Sequence, residues 1–400
     1  MTTTPTEVPR VGRAPRQPGG PGDYSWLWLP IGVAGVLALV LFALSTWAYT
    51  QLPPFMPRLP PRALSAHRWL QAWSWWDGAW YVDIARRGYF FVPGAQSSVA
   101  FFPAYPLLVR AVSRVMGDAV LAGFATTLAF GLTATALFHR WVLDKLGAHR
   151  APWALAAFLL YPGSFYLFGT VYADSLFLAA LLAAFLLVER DRPGWAGLAA
   201  AVATATRPVG LAVAVGVWAR AVERRGGWRA LRAPDAGLLL APAGAVAYAA
   251  WLWARFGSPL LFMQAEAGWH QAPGWQTWLK FGWFRGMWRW VTRWGVLDPK
   301  GLHLLGHAVV TVVAIGMLPV VFRRFGRAYG LYTAALVVGC AVSTSNFVGM
   351  GRYVLGAFPL FALAGDVLVR RPRVRLAALA ASAIALLTFT HLHARNLLIS

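Results

Sequence analysis

The chain has 400 residues, 58% hydrophobic and 12% charged, with a formal net charge of +22 at pH 7. A soluble globular domain carries about 25% charged residues, so the composition excludes that class and points to one membrane-embedded helical bundle. The 36 basic residues punctuate apolar runs and form no single stripe or tail, which argues for membrane topology and against nucleic-acid binding.

Residues 1–25, rich in Pro, Gly, Thr and Arg, are predicted to form a disordered cytoplasmic tail, and residues 26–400 one transmembrane domain. The uncharged segment 26–49 is long enough to cross roughly 30 Å of hydrocarbon. It is too long and too far from the N-terminus for a signal peptide, so an uncleaved anchor is expected. Further apolar runs lie at 119–139, 151–170, 174–188, 194–219, 236–254, 302–322, 328–346, 352–369 and 376–393. Arg-rich short loops around 140–150, 190–192, 220–232, 323–327 and 370–375 belong on the cytoplasmic side by the positive-inside rule. Two long loops, about 50–118 and 255–301, then face the other side.

Residues 194–219 begin and end beside cytoplasmic charge and are broken at Arg207-Pro208. They read as two short helices or a re-entrant pair, which membrane proteins allow where the broken backbone is buried in protein. The total is about ten or eleven transmembrane or re-entrant helices. No repeat is visible, which weakens a transporter reading. Cys340, the single cysteine, lies in an apolar run and excludes a disulfide framework and a thiolate metal cluster.

Of the 14 carboxylates, Asp77, Asp83, Asp118, Asp174, Glu266 and Asp298 fall on the non-cytoplasmic side of this topology. Asp77 follows Trp73, Trp75 and Trp76 and precedes Trp80 and Tyr81. Indoles exclude water, raise a carboxylate's proton affinity and stack on sugar faces, as a general base for a hydroxyl acceptor requires. On a helix Asp77, Trp80, Tyr81 and Ile84 share one face. The same pattern also describes an amphipathic anchor helix with Asp77 on its wet side, and the spacing leaves both readings open.

The stretch Trp76-Asp77-Gly78-Ala79-Trp80-Tyr81-Val82-Asp83-Ile84-Ala85-Arg86-Arg87-Gly88-Tyr89 resembles the signature of the PIG-V family, the GPI mannosyltransferases and their bacterial relatives. So do Phe101-Phe102-Pro103-Ala104-Tyr105-Pro106, Tyr161-Pro162 with Ser164-Phe165, and Tyr172-Ala173-Asp174-Ser175. Thr206-Arg207-Pro208-Val209-Gly210 and Gly351-Arg352-Tyr353-Val354-Leu355 are similar to elements of bacterial members. Asp174 stands where eukaryotic members tend to have Glu, and loop 255–301 matches no element of the family.

The resemblance implies an all-α polytopic GT-C glycosyltransferase with a large first external loop. It implies a polyprenyl-phosphate-sugar donor, most often carrying mannose, and inverting transfer to a lipid, glycan or protein hydroxyl on the extracytoplasmic face of the cell membrane. Asp77 becomes the candidate base, with no cofactor or metal expected.

Arg207 and Arg352 are candidates for the donor phosphate, since a guanidinium fork binds phosphate oxygens in two places; either is also what a snorkelling or structural arginine looks like. Trp76, Trp80, Tyr81, Asp83 and Asp174 are candidates for holding sugar or acceptor, with a loop anchor, a second helical face and a polar turn as their plainer roles. Glu266 and His270, four apart, would share a helical face and permit metal binding, but two ligands are weak evidence for a site. Residues 283–294 place Arg at every fourth position among Trp, as an interfacial helix does. The rival classes are a lipid-linked-glycan flippase, which leaves its substrate chemically unchanged, and a nucleotide-sugar enzyme with a cytoplasmic divalent site at Glu189-Arg190-Asp191.

Overall fold

The computed structural model describes residues 25–55, 65, 67–271, 274–294 and 299–397. The expected tail up to residue 24 and Asp298 lie outside them. All regular structure among the described residues is helical.

The first anchor is α1 (Ser25–Gln51), followed across the first long loop by α2 (Asp77–Arg87) and α3 (Ala104–Met116). The Asp118 carboxylate then accepts from the N–H groups of Val120 and Leu121 at 2.7 and 2.9 Å, an N-cap that starts α4 (Ala119–Leu146). Next come α5 (Ala151–Leu159), α6 (Asp174–Glu189), α7 (Pro193–Thr204), α8 (Leu211–Arg225) and α9 (Ala243–Phe256). The second long loop holds α10 (Leu261–Ala265), α11 (Trp275–Leu279) and α12 (Phe281–Trp294). The chain closes with α13 (Pro299–Phe325), α14 (Arg327–Ser343), α15 (Met350–Tyr353), α16 (Pro359–Arg370) and α17 (Pro372–Ala394).

Among the described residues, 4 helices are long and apolar enough to cross a membrane: Trp26–Gln51, Ala119–Leu146, Leu304–Phe325 and Pro372–Ala394. Two bent pairs, Ala233–Leu240 with Ala243–Phe256 (43°) and Met350–Gly356 with Pro359–Arg370 (86°), raise this to 6. These are the helices of a multi-pass membrane protein. Their outward faces carry residues such as Leu39, Val312 and Ile384, each at least 66% exposed, and such a surface has its natural solvent in lipid. Among the remaining apolar runs, 151–170 and 194–219 are broken into shorter helices at Pro162 and Pro208.

Helix α6 occupies the centre, buried on nearly every side and packed against α4, α7 and α8. Close approach requires glycine: a Cβ on Gly131 of α4 would lie 1.9 Å from the Leu167 carbonyl oxygen just before α6. The expected break at 194–219 is a helical hairpin. Helices α7 and α8 fold back on each other at Arg207, a Cβ on Gly210 would lie 2.4 Å from the Ala203 carbonyl oxygen, and Arg225 pairs with Asp191 where the two outer ends meet.

The Arg-rich loops gather at that same end. Glu189 pairs with Lys145 at 2.6 Å, Arg220 at 2.8 Å and Arg224 at 3.0 Å, and accepts from the Tyr329 hydroxyl. Asp144 pairs with Arg140, Asp235 with Arg225, and Asp366 with Arg150 and Arg370. The acids assigned to the cytoplasmic side are thus neutralised locally wherever they are described. Asp174 opens the 16-residue helix α6 and Glu189 closes it, about 22 Å away at 1.5 Å per residue. Two ion clusters therefore sit at opposite ends of the central helix.

Candidate active site

The cluster at the Asp174 end is assembled from the separate motifs. Trp76 adopts φ 56°, a left-handed conformation that a bulky residue holds only under tertiary restraint. The restraint is Tyr172, whose hydroxyl accepts from the Asp77 N–H at 3.2 Å and donates to the Trp75 carbonyl at 3.3 Å. Helix α2 therefore begins at Asp77, with its carboxylate in the first turn, partly exposed.

Arg352 lies on α15, at the sharp bend before α16, and is 8% exposed. Its Nη1 donates to Asp77 Oδ2 at 2.9 Å, and its Nε is 3.8 Å from Asp174 Oδ1. The guanidinium is framed by the rings of Tyr172, Tyr353 and Tyr166, at 4.9, 5.1 and 5.5 Å. The bend that delivers it is tied to the Tyr161-Pro162 element: the Tyr161 hydroxyl donates to the Gly351 carbonyl at 2.7 Å, and a Cβ on Gly163 would lie 2.9 Å from that oxygen.

Arg207 enters from the tip of the α7–α8 hairpin. Its Nη1 is 2.9 Å from Asp174 Oδ1, and the guanidinium lies over Phe177 at 5.0 Å and Tyr353 at 5.8 Å. Asp174 is 5% exposed. Two arginines and two aspartates thus form one chain, Asp77–Arg352–Asp174–Arg207, bringing together residues 275 apart in sequence. Within it Arg207 Nε, Arg352 Nε and Asp174 Oδ2 are buried and have no hydrogen-bond partner among the described residues, as has Ser175 Oγ beside them. A buried donor without an acceptor costs about 1–3 kcal/mol, so the two guanidinium N–H groups are left able to take a further acceptor.

The aromatic candidates line one flank. Trp80 stacks on Phe101 at 5.7 Å and meets the edge of Trp269 at 5.5 Å. Tyr81 is enclosed by Phe101, Tyr105 and Tyr172. Both are buried, so they form the wall, whereas Trp76 remains half-exposed at the turn into α2. Asp83 does not join the cluster: it faces away along α2 and pairs with Arg87 at 3.1 Å.

Of the six acids assigned to the non-cytoplasmic side, Asp118 is a helix cap, Asp83 is paired elsewhere and Asp298 is undescribed. Of the others, Asp77 and Asp174 are joined through Arg352, and the Asp77 charge acts on Glu266. The spacing of Glu266 and His270 does not give a shared helical face, because the helical turn Glu266–Trp269 is of the tighter 3-10 type and ends at His270, which has φ 59°. No group of three metal-ligating side chains occurs among the described residues. Sequence reasoning missed the tyrosine frame around Arg352, although Tyr172 and Tyr353 stand inside the motifs that carry Asp174 and Arg352.

No family model and no curated protein matches the chain. Among solved structures, it is similar to the Archaeoglobus fulgidus oligosaccharyltransferase, crystallised tethered to an acceptor peptide containing the NVT sequon, with 13% identity and a TM-score of 0.43. The likeness covers 92% of this chain and 55% of that one, so this chain spans about half the length of that enzyme.

Proposed function

We propose that this protein is a GT-C glycosyltransferase related to the PIG-V mannosyltransferases. It transfers a hexose, mannose by resemblance, from a polyprenyl phosphate to a hydroxyl of a lipid, glycan or protein on the non-cytoplasmic face. The observation that carries the reading is the single ionic chain Asp77–Arg352–Asp174–Arg207, with its unpartnered guanidinium nitrogens, built from the motif elements that carry the resemblance.

The chemistry follows from that arrangement. A donor phosphate enters between Arg207 and Arg352 and takes the guanidinium N–H groups that lack acceptors. Its charge also competes with Asp77, which holds Nη1, for the Arg352 guanidinium. Released from that ion pair, Asp77 becomes the acceptor of the incoming hydroxyl's proton. The acceptor oxygen bonds to the anomeric carbon from the face opposite the phosphate, the bond to the phosphate oxygen breaks with its electron pair, and the configuration inverts. The two arginines stabilise the charge that collects on the departing phosphate.

The cytoplasmic divalent-site alternative loses its ligands, because Glu189 and Asp191 are each held by basic side chains. The flippase alternative leaves its substrate chemically unchanged, so formation of a glycosyl product from donor and acceptor decides between the two.

The site's side is tested by labelling. Ser97 is fully buried, its hydroxyl bonded to Val92 and Ala95, while the neighbouring Gln96 is exposed. In a Cys340→Ser background, Gln96→Cys should react with an impermeant maleimide in intact cells, and Arg373→Cys, exposed at the Arg-rich end, only after lysis. The reverse pattern would put Asp77 in the cytoplasm and overturn the reading.

A further inference from the structure

The second long loop folds over the cluster. Leu261 and Ala265 of α10 are buried with Val99, Phe102, Tyr248 and Leu252. The turn Glu266–Trp269 follows, and its Gly268 sits so tightly on the first loop that a Cβ there would lie 2.5 Å from the Gln96 backbone nitrogen. Trp269 packs against Trp80 and Phe101 at 5.5 and 5.9 Å, one turn of α2 beyond Asp77. On the other side the Gln271 side-chain oxygen accepts from the Ser345 N–H at 2.7 Å and hydroxyl at 3.0 Å, and buried Lys280 donates to the carbonyls of Ala341 and Thr344. The turn carrying Glu266 is therefore strung between the aromatic wall of α2 and the segment that leads to Arg352.

Glu266 is the unexplained group of this roof. Its side chain is partly buried and makes no hydrogen bond or ion pair with any described residue. Neither arginine of the cluster reaches it, since both are engaged by Asp77 and Asp174. A carboxyl placed under a roof without a partner is costly unless a ligand supplies one. Burial, and then the Asp77 charge, push its pKa up to about 7. Asp77 is the charged group facing it from the packed elements, itself paired with Arg352; His270 follows on its own turn, exposed.

We propose that Glu266 positions the acceptor, hydrogen-bonding one of its hydroxyls under the roof so that the reacting hydroxyl is presented to Asp77. The proposal rests on the glycosyl-transfer reading above. Glu266 takes no part in bond making: Asp77 remains the proton acceptor, and Glu266 acts through where the acceptor lies. Near neutral pH it offers either a hydroxyl or a carboxylate oxygen, so acceptor binding responds to pH where donor binding does not.

The test separates the two substrates. With purified protein in liposomes, polyprenyl-phosphate-mannose as donor and the membrane glycolipid extract as acceptor, Glu266→Gln should raise the acceptor KM about tenfold, the scale of one lost hydrogen bond to a charged group. The donor KM should stay within twofold. The wild-type acceptor KM should change between pH 6 and 8, and the variant should flatten that dependence. Glu266→Asp, read in the same assay, should recover part of the acceptor affinity and guards against a Gln variant that fails to fold. An unchanged acceptor KM in Glu266→Gln, or equal losses for donor and acceptor, would overturn the assignment while leaving glycosyl transfer intact. A wild-type protein that forms no glycosyl product would instead remove the underlying reading.

Discussion

Asp77→Asn is expected to lower turnover by about 10²–10⁴-fold, the range for losing a general base, while binding the donor at least as tightly as the wild type. The second half of this result comes from the ion pair. Asp77 holds Arg352 Nη1 at 2.9 Å, and a donor phosphate competes with it for the guanidinium charge. An amide at that position neutralises the competitor and leaves Arg352 to the phosphate. Arg207→Gln and Arg352→Gln should do the opposite, raising the donor KM, and lysine at either place should rescue only in part because a point charge lacks the bidentate fork. Steady-state kinetics with donor varied at fixed acceptor reads all of these. Near-normal turnover in Asp77→Asn, with Asp174→Asn inactive, would move the base to Asp174.

The second large effect is on stability. Asp174 is 5% exposed and is the direct partner of Arg207 at 2.9 Å. Asp174→Ala leaves the Arg207 guanidinium buried without its counter-ion and removes the second acid near Arg352. Breaking a buried pair by deleting one member costs on the order of 3–5 kcal/mol. Thermal unfolding in detergent should show a marked fall for Asp174→Ala. The double variant Asp174→Leu/Arg207→Leu should recover most of it, because the uncompensated charge is gone. An Asp174→Ala protein as stable as wild type would mean that Arg207 finds water or another acceptor, and that the hairpin tip is not held by this pair.

Much of this arrangement is legible in the sequence, for identifiable reasons. The α7–α8 hairpin shows itself because basic residues flank both ends of a segment too short for two crossings, and Pro208 marks the break beside Arg207. Helix α2 shows its face because Asp77, Trp80, Tyr81 and Ile84 recur at helical spacing. The number of full-length spans is less legible. Apolarity cannot distinguish a helix that faces lipid from one that faces protein, and α6, apolar all round, is buried in the bundle at 16 residues.

The site's connections are the least legible part. Nothing in local pattern pairs Asp77 with Arg352, 275 positions away, or seats the second loop on the first through Gly268 and Trp269. Glu266 stands out in the sequence as a non-cytoplasmic acid and as one four residues before a histidine, a spacing with helical meaning until the turn proves to be of the 3-10 type and His270 leaves it in a left-handed conformation. Asp83, from the same motif as Asp77, is separated from it by the helical period itself, since six positions turn it to another face.

In the proposed reaction a lipid phosphate, and no nucleotide, delivers the sugar to the cluster at the head of α6. Purified protein in liposomes with an acceptor extract should be given either polyprenyl-phosphate-mannose or GDP-mannose, each with and without chelator. Glycosyl product from the polyprenyl donor, undiminished by chelator and absent with GDP-mannose, is the expected result. Product from GDP-mannose alone, or complete loss of product with chelator, would contradict it.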